Sequence, residues 1–367
     1  MLVMSARLDL GPERARYLRA RPLHSVVFLL LLATVAAAEA PATRQSGFTR
    51  LTVANPMGGG AIQTVVWYPT TAPASLIKLG PFDLDVAINS EPEAGAHPFI
   101  VISHGTGGSN LGHHDTAIYL ARHGFVVATP MHPGDNFQDT SAYGTDAQLF
   151  GRPRHVKAVL DAVVAHPVFG RVVDTARIGI VGMSAGGYTA LVLVGGKPDF
   201  SKLGAFCREQ PADPWICGRG RKTEAPPAVS DWALVRDSRI KSAVLLAPAL
   251  GPAFDRAGLA DVRVPIRLYR PEADEVLRHP YNAEHVRLML PRAGVLRAAR
   301  CRPLRLPGAV LAGARSAGTA DLRRSTRRRP RGAPRAPQCR DRRLLPPDAS
   351  VGRAASDRFE RRTTAWG

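Results

Sequence analysis

Between residues 47 and 290 the apolar positions follow two rhythms. Segments 47–55 (GFTRLTVAN) and 61–70 (AIQTVVWYPT) read as strands, and the glycine turn in PMGGG between them makes them a hairpin. PFIVISHG (98–105) is a short continuous apolar run, as expected of a buried strand. NLGHHDTAIYLARHG (110–124) instead has helical spacing and stops on Gly124. FVVATP (125–130) is the next strand. DAQLFGRPRHVKAVLDAVVAH (146–166) has an apolar helical face, with Pro153 marking an early break or start. ARIGIVG (176–182) is a strand and AGGYTALVLVGG (185–196) a helix. IKSAVLLAP (240–248) and VPIRLYRP (264–271) are further strands, and NAEHVRLML (282–290) is a helix.

Strands that alternate with helices predict an α/β protein, a mostly parallel sheet with helices on both faces. Segment 200–236 interrupts the alternation. It is mixed in character, carries several prolines with Cys207 and Cys217, and reads as an insertion. No internal repeat of fixed period is present.

One junction carries chemistry. Gly182-Met183-Ser184-Ala185-Gly186 fits G-x-S-x-G, with a predicted strand before it and a predicted helix after it. Such a turn lifts a serine hydroxyl above the sheet edge at strained backbone angles, and bulkier neighbours would clash. A phosphate-binding loop would instead want a lysine after the glycines, where Tyr188 stands. Ser184 is therefore the candidate nucleophile. The charge that develops on an attacked carbonyl oxygen needs two convergent backbone N–H groups. Ala185, next after the serine, is one candidate, and Thr106 in the loop HGTGGSN is the other. His104 reads as an orienting residue of that loop.

VVWYP, VISHGTGG, FVVATPMHPGD, GIVGMSAGGYTAL and VPIRLYRPEADEV together resemble the secreted bacterial dienelactone-hydrolase-like proteins, relatives of the platelet-activating factor acetylhydrolases in the α/β-hydrolase superfamily. The resemblance spans roughly residues 48–290. It implies an α/β-hydrolase fold and a serine esterase acting on a small ester, lactone or short-acyl lipid. It implies no metal or organic cofactor. A triad in the order serine, acid, histidine places the acid in YRPEADEV. Asp274 is the best match, with Glu272 and Glu275 ranked below it.

The resemblance also implies a Gly-His loop some tens of residues after the acid, and the sequence has none. The last histidines, His279 and His285, fall on the helix that leads away from Asp274. His113, His114, His123 and His155 read as helix-surface or packing residues, and His132 as a residue that lines the pocket. The adjacent pair at 113–114 with Asp115 is a weak metal signal, because neighbouring helical residues point different ways.

Composition explains the loss. The chain has 367 residues and a formal charge of +19. Residues 292–367 hold 20 Arg against 5 acidic residues, so the rest of the chain carries only +4. This tail contains no Lys, His, Ile, Asn, Tyr or Met. Two readings follow. One is a disordered basic tail on a non-catalytic protein that binds an anionic partner. The other, preferred here, is a GC-rich gene read out of frame. Back-translating residues 293–313 with permitted codons and stepping one base forward can spell PEYYVLPDAGHYVFLAPCSP, strand-like and then Gly-His. That histidine codon straddles Pro303 and Leu304. A peptidase on the same fold is a further alternative, without a propeller or large cap to support it. No nucleic-acid partner is expected, since the body is nearly charge-balanced.

The expected organisation is a signal peptide at 1–38, a hydrolase domain at 39–291 and the tail at 292–367. A basic region (Arg7, Arg14, Arg16, Arg19, Arg21) precedes the apolar stretch VVFLLLLATVAAA, which is too short to span a bilayer. Export to the periplasm or medium would favour a local Cys207–Cys217 disulfide.

Overall fold

The computed structural model describes residues 43–213, 215–217, 235–271, 274–291 and the backbone of 295–301. The segment expected as a signal peptide, most of the insertion loop and residues 302–367 lie outside the described residues.

β1 (Gln45–Val53) and β2 (Ile62–Thr70) form the expected antiparallel hairpin, Gln45 opposite Thr70 and Val53 opposite Ile62. A second hairpin, unmarked by the apolar pattern, is β3 (Ser75–Leu79) with β4 (Phe82–Ile88), which joins the edge of β1. Its period-2 signal is confined to Leu84 and Val86, buried between the aspartates at 83 and 85.

β5 (His97–Ser103), β6 (Val126–Pro130), β7 (Val173–Met183), β8 (Ile240–Leu246), β9 (Ile266–Pro271) and β10 (Val295–Cys301) are mutually parallel. The sheet order is β10-β9-β8-β7-β5-β6-β2-β1-β4-β3. Because these six strands run the same way, they all end at one edge of the sheet, and the site is built there.

Helices cover both faces, as the alternation predicted. They are α1 (His114–Arg122), α2 (Asp146–Ala165), α3 (Ala185–Leu193), α4 (Ser201–Glu209) and α5 (Ala283–Met289). Successive residues of one strand enter opposite cores. Val65, Trp67, Val127 and Val181 pack with Leu120 of α1, whereas Val66, Tyr68, Ala128 and Ile180 pack with Val159 of α2 and Leu191 of α3. This is the fold of the α/β-hydrolases.

Three expectations are revised or extended. Pro153 neither starts nor breaks its helix, since α2 runs through it. The carbonyl that a residue-153 N–H would have bonded is that of Leu149, and the Tyr188 hydroxyl donates to it at 3.1 Å. The missing helical bond is thereby replaced from the neighbouring helix. The 200–236 insertion contains a helix, α4, which a Cys207–Cys217 disulfide ties to the following turn. The sheet also extends past the boundary drawn at residue 291, because Val295–Cys301 pairs in parallel with β9. Five of those seven residues are apolar, and the edge of β9 offers unpaired backbone groups.

Trp67 shows how tightly the first core is held. It is fully buried, its indole N–H donates to Thr129 Oγ1 at 3.0 Å, and Phe48 meets its ring edge-on at 5.0 Å. Trp67→Ala is expected to cost about 3–5 kcal/mol, read as a lowered urea midpoint with an unchanged m-value.

Candidate active site

Ser184 sits alone between β7 and α3, at φ 54° and ψ −116°. A non-glycine residue there stores roughly 1–3 kcal/mol of strain, so the surroundings must impose the turn. Its N–H donates to Leu246 O at 2.9 Å, and its carbonyl accepts from Gly187 at 2.9 Å and Ala249 at 3.0 Å. Steric approach explains the glycines. A Cβ on Gly186 would lie 1.9 Å from the Ser103 carbonyl oxygen, one on Gly182 2.1 Å from Gly186 O, and one on Gly187 2.7 Å from Pro248 Cα. Each neighbour is backbone and cannot swing away.

The second half of the site is the loop that follows β5. Gly105 abuts the elbow, its notional Cβ 3.3 Å from Ser184 Cβ. His104 Nδ1 lies 2.7 Å from the Gly105 carbonyl oxygen, while the His132 backbone N–H donates to His104 Nε2 at 3.2 Å. The ring proton therefore sits on Nδ1, and the Gly105 carbonyl is turned towards His104. Across a trans peptide the Thr106 N–H must then point the opposite way. Among the described residues neither the Thr106 nor the Ala185 N–H has a hydrogen-bond partner. Ala185 opens α3, where the first amides have no intrahelical acceptor and carry the positive end of the helix dipole.

Behind these donors lies a polar cluster that the sequence reading missed. Asp135 and Arg152 form an ion pair at 2.6 Å with both side chains 1% exposed. Asp135 Oδ1 accepts the Gly107 N–H at 3.1 Å, and its Oδ2 accepts Gln148 Nε2 at 2.5 Å. Gln148 Nε2 also reaches Thr106 Oγ1 at 3.1 Å. Arg152 donates to Thr189 Oγ1 of α3 at 3.2 Å, to Ser103 Oγ at 3.3 Å and to the His104 carbonyl oxygen. Arg152, which falls on the apolar face of α2 at helical spacing between Leu149 and Val156, was the available signal, because an arginine there must find a buried acid.

The reading of His132 also needs correction. His132 does not line a pocket. It is fully buried, with Nε2 2.9 Å from Ser103 Oγ and Nδ1 3.4 Å from His155 Nδ1. His155, read as a surface or packing residue, is buried in the same cluster. Burial, reinforced by the Arg152 charge, pulls His104 down to about 3 and His155 down to about 4, and holds His132 well below the ordinary imidazole value. These three rings are thus neutral at physiological pH. His285 Nε2 bonds Phe254 O at 2.7 Å, and His279 Nδ1 lies 3.3 Å from Arg270 Nη1. Among the described residues no histidine hydrogen-bonds to Ser184.

Asp274 follows the end of β9 by three residues, one strand removed from β7 across β8. Its Oδ1 accepts the Val276 and Leu277 N–H groups at 2.9 and 2.8 Å, which fixes the carboxylate in a local turn. Glu275 is exposed, and Glu272 lies outside the described residues.

Residues 84–207 match the model of the dienelactone hydrolase family, a span that includes both the Thr106 loop and the serine elbow. Among solved structures, a dienelactone hydrolase-like promiscuous phosphotriesterase from metagenomic libraries aligns at 13% identity and TM-score 0.42, over 70% of this chain and 82% of that one. The ferulic acid esterase of Streptomyces cinnamoneus aligns at 19% identity and TM-score 0.43, over 72% and 75%. No curated protein matches the chain.

The buried histidines set an acid limit. Each binds a proton in the unfolded chain below about pH 6.5, yet stays neutral in the folded one until far lower pH. The unfolded state therefore binds more protons across that window. Stability is fully present above about pH 6.5 and falls as the pH drops towards 4. Urea titrations between pH 7 and pH 4.5 should show a steadily falling midpoint, and His155→Leu should flatten the slope by about one proton.

Proposed function

We propose that this α/β-hydrolase, matched to the dienelactone hydrolase family over residues 84–207, is by descent a serine esterase acting on small carboxylic esters, lactones or short-acyl lipids. The observation that carries the reading is Ser184 at positive φ on a strand-to-helix turn, with the Gly105 loop pressed against it. In this reading Ser184 Oγ attacks the ester carbonyl carbon. The Thr106 and Ala185 N–H groups receive the oxygen as it becomes negative. An imidazole takes the Ser184 Oγ proton during the attack and passes it to the leaving alcohol as the tetrahedral intermediate collapses, and water then hydrolyses the acyl-enzyme. Asp274 would hold an imidazole in its productive tautomer.

The chain as written lacks that imidazole. Its last histidine is His285, and none occurs from 286 to 367. A frameshift near residue 292 would account for this loss. β10 lies beside β9, whose end leads to Asp274, and neighbouring strands lie about 4.8 Å apart. A histidine encoded at 303–304 would follow β10 by two residues in the sequence. The Cys207–Cys217 disulfide supports the companion proposal that the protein is exported to an oxidising compartment.

The test compares p-nitrophenyl acetate turnover by the written chain, by a chain with the frame restored from Ala293, and by the restored chain carrying Ser184→Ala. Loss of a triad base typically costs about 10⁴-fold or more in kcat. The restored chain should therefore exceed the written one by orders of magnitude, and Ser184→Ala should erase the gain. Equal, serine-dependent turnover by the written and restored chains would refute the missing-base reading.

A further inference from the structure

Resting on the serine-hydrolase reading, we infer that the buried Asp135–Arg152 pair is a positioning pair that fixes the Thr106 and Ala185 N–H groups relative to one another. Those donors come from segments 79 residues apart in sequence, a loop and a helix, and nothing covalent nearby sets their spacing. The pair grips both. On the loop side, Asp135 holds the Gly107 N–H directly and Thr106 Oγ1 through Gln148. Arg152 holds the His104 carbonyl. The residues on either side of the Gly105–Thr106 peptide are therefore pinned.

On the helix side, Arg152 Nε donates to Thr189 Oγ1, whose own proton goes to the Ala185 carbonyl at 2.8 Å. That carbonyl belongs to the residue whose N–H faces the oxyanion. The guanidinium is planar and its donors diverge at fixed angles. A shift of the loop thus strains the same group that anchors the helix. A purely apolar plug could fill this volume but could not transmit register between the two segments. A buried ion pair is a poor source of stability, since apolar replacement is often neutral, so its retention beside the donors fits a geometric role.

The experiment uses the full written chain, whose residual ester turnover comes from the oxyanion donors and substrate binding alone. Asp135→Leu with Arg152→Met removes the pair without leaving a lone buried charge, and Thr189→Val cuts only the link to α3. Both should fold. Each should lower serine-dependent kcat for p-nitrophenyl acetate by at least about tenfold, with KM nearly unchanged. Amide exchange at Gly107 and Gly108, whose N–H groups bond Asp135 Oδ1 and the Gly105 carbonyl, should rise in the double variant while β5 and β7 stay protected. If the double variant fails to fold, Thr189→Val decides the question through kcat. Unchanged kcat in a folded variant, even with faster exchange, would make the pair merely structural and overturn the inference. If Ser184→Ala leaves turnover of the written chain untouched, the serine reading falls instead. Exchange at Gly107 and Gly108 then decides whether the pair holds the loop, and unchanged exchange overturns it.

Discussion

The end of β5 and the start of α3 approach so closely that the Ser103 carbonyl oxygen occupies the place where a side chain at residue 186 would begin. Most features of the site follow from that contact. Only glycine fits at 186, and Gly182 must yield to Gly186 in turn. The chain can then turn from β7 into α3 within one residue, which leaves Ser184 at positive φ with its hydroxyl at the sheet edge. The same approach brings the loop after Ser103 against the elbow, so that Gly105 touches Ser184 and Thr106 stands next to it. The Leu246 carbonyl at the end of β8, which accepts the Ser184 N–H, and the Ala249 N–H just after it, which donates to the Ser184 carbonyl, close the turn from the other side. The strain at Ser184 is offset by this packing.

Polar groups buried under the elbow impose a second constraint. Charges at Asp135 and Arg152 survive burial because they face each other and saturate their remaining hydrogen bonds with loop and helix groups. His104, His132 and His155 survive there by staying neutral. The loop after β5 is thus held by side chains buried beneath it. The rings with the most depressed basicity also serve structure: they accept or donate bonds to Ser103 and to backbone, and their lone pairs are committed away from Ser184.

Much of this was legible in the sequence, because local sterics and periodicity determine it. The β1–β2 hairpin, the parallel strands and the serine elbow each have a short-range signature: a glycine turn, a continuous apolar run, and G-x-S-x-G at a strand–helix junction. The β3–β4 hairpin lacked one, since half of its residues face water at the sheet's far edge. Pro153 misled because the compensating Tyr188 hydroxyl comes from another helix. The Asp135–Arg152 cluster was illegible for the same reason, since its members are scattered from Ser103 to Thr189 and meet only in the fold. Strand β10 escaped notice because arginine-rich composition drew attention away from its five apolar residues beside an open edge.

The central claim is that Ser184 stands in a formed elbow with oxyanion donors but without a base. The direct measurement is the pH dependence of Ser184 phosphonylation by an alkyl fluorophosphonate, with the adduct mapped by mass spectrometry, from about pH 7 to pH 10. A histidine base would give a rate that levels off once the imidazole is neutral, above about pH 7. Without one the proton goes to solvent or hydroxide, and the account predicts a log rate that climbs with a slope of about one per pH unit and shows no plateau. A plateau reached near neutral pH, with the adduct on Ser184, would contradict it and show that a histidine of this chain is already the base.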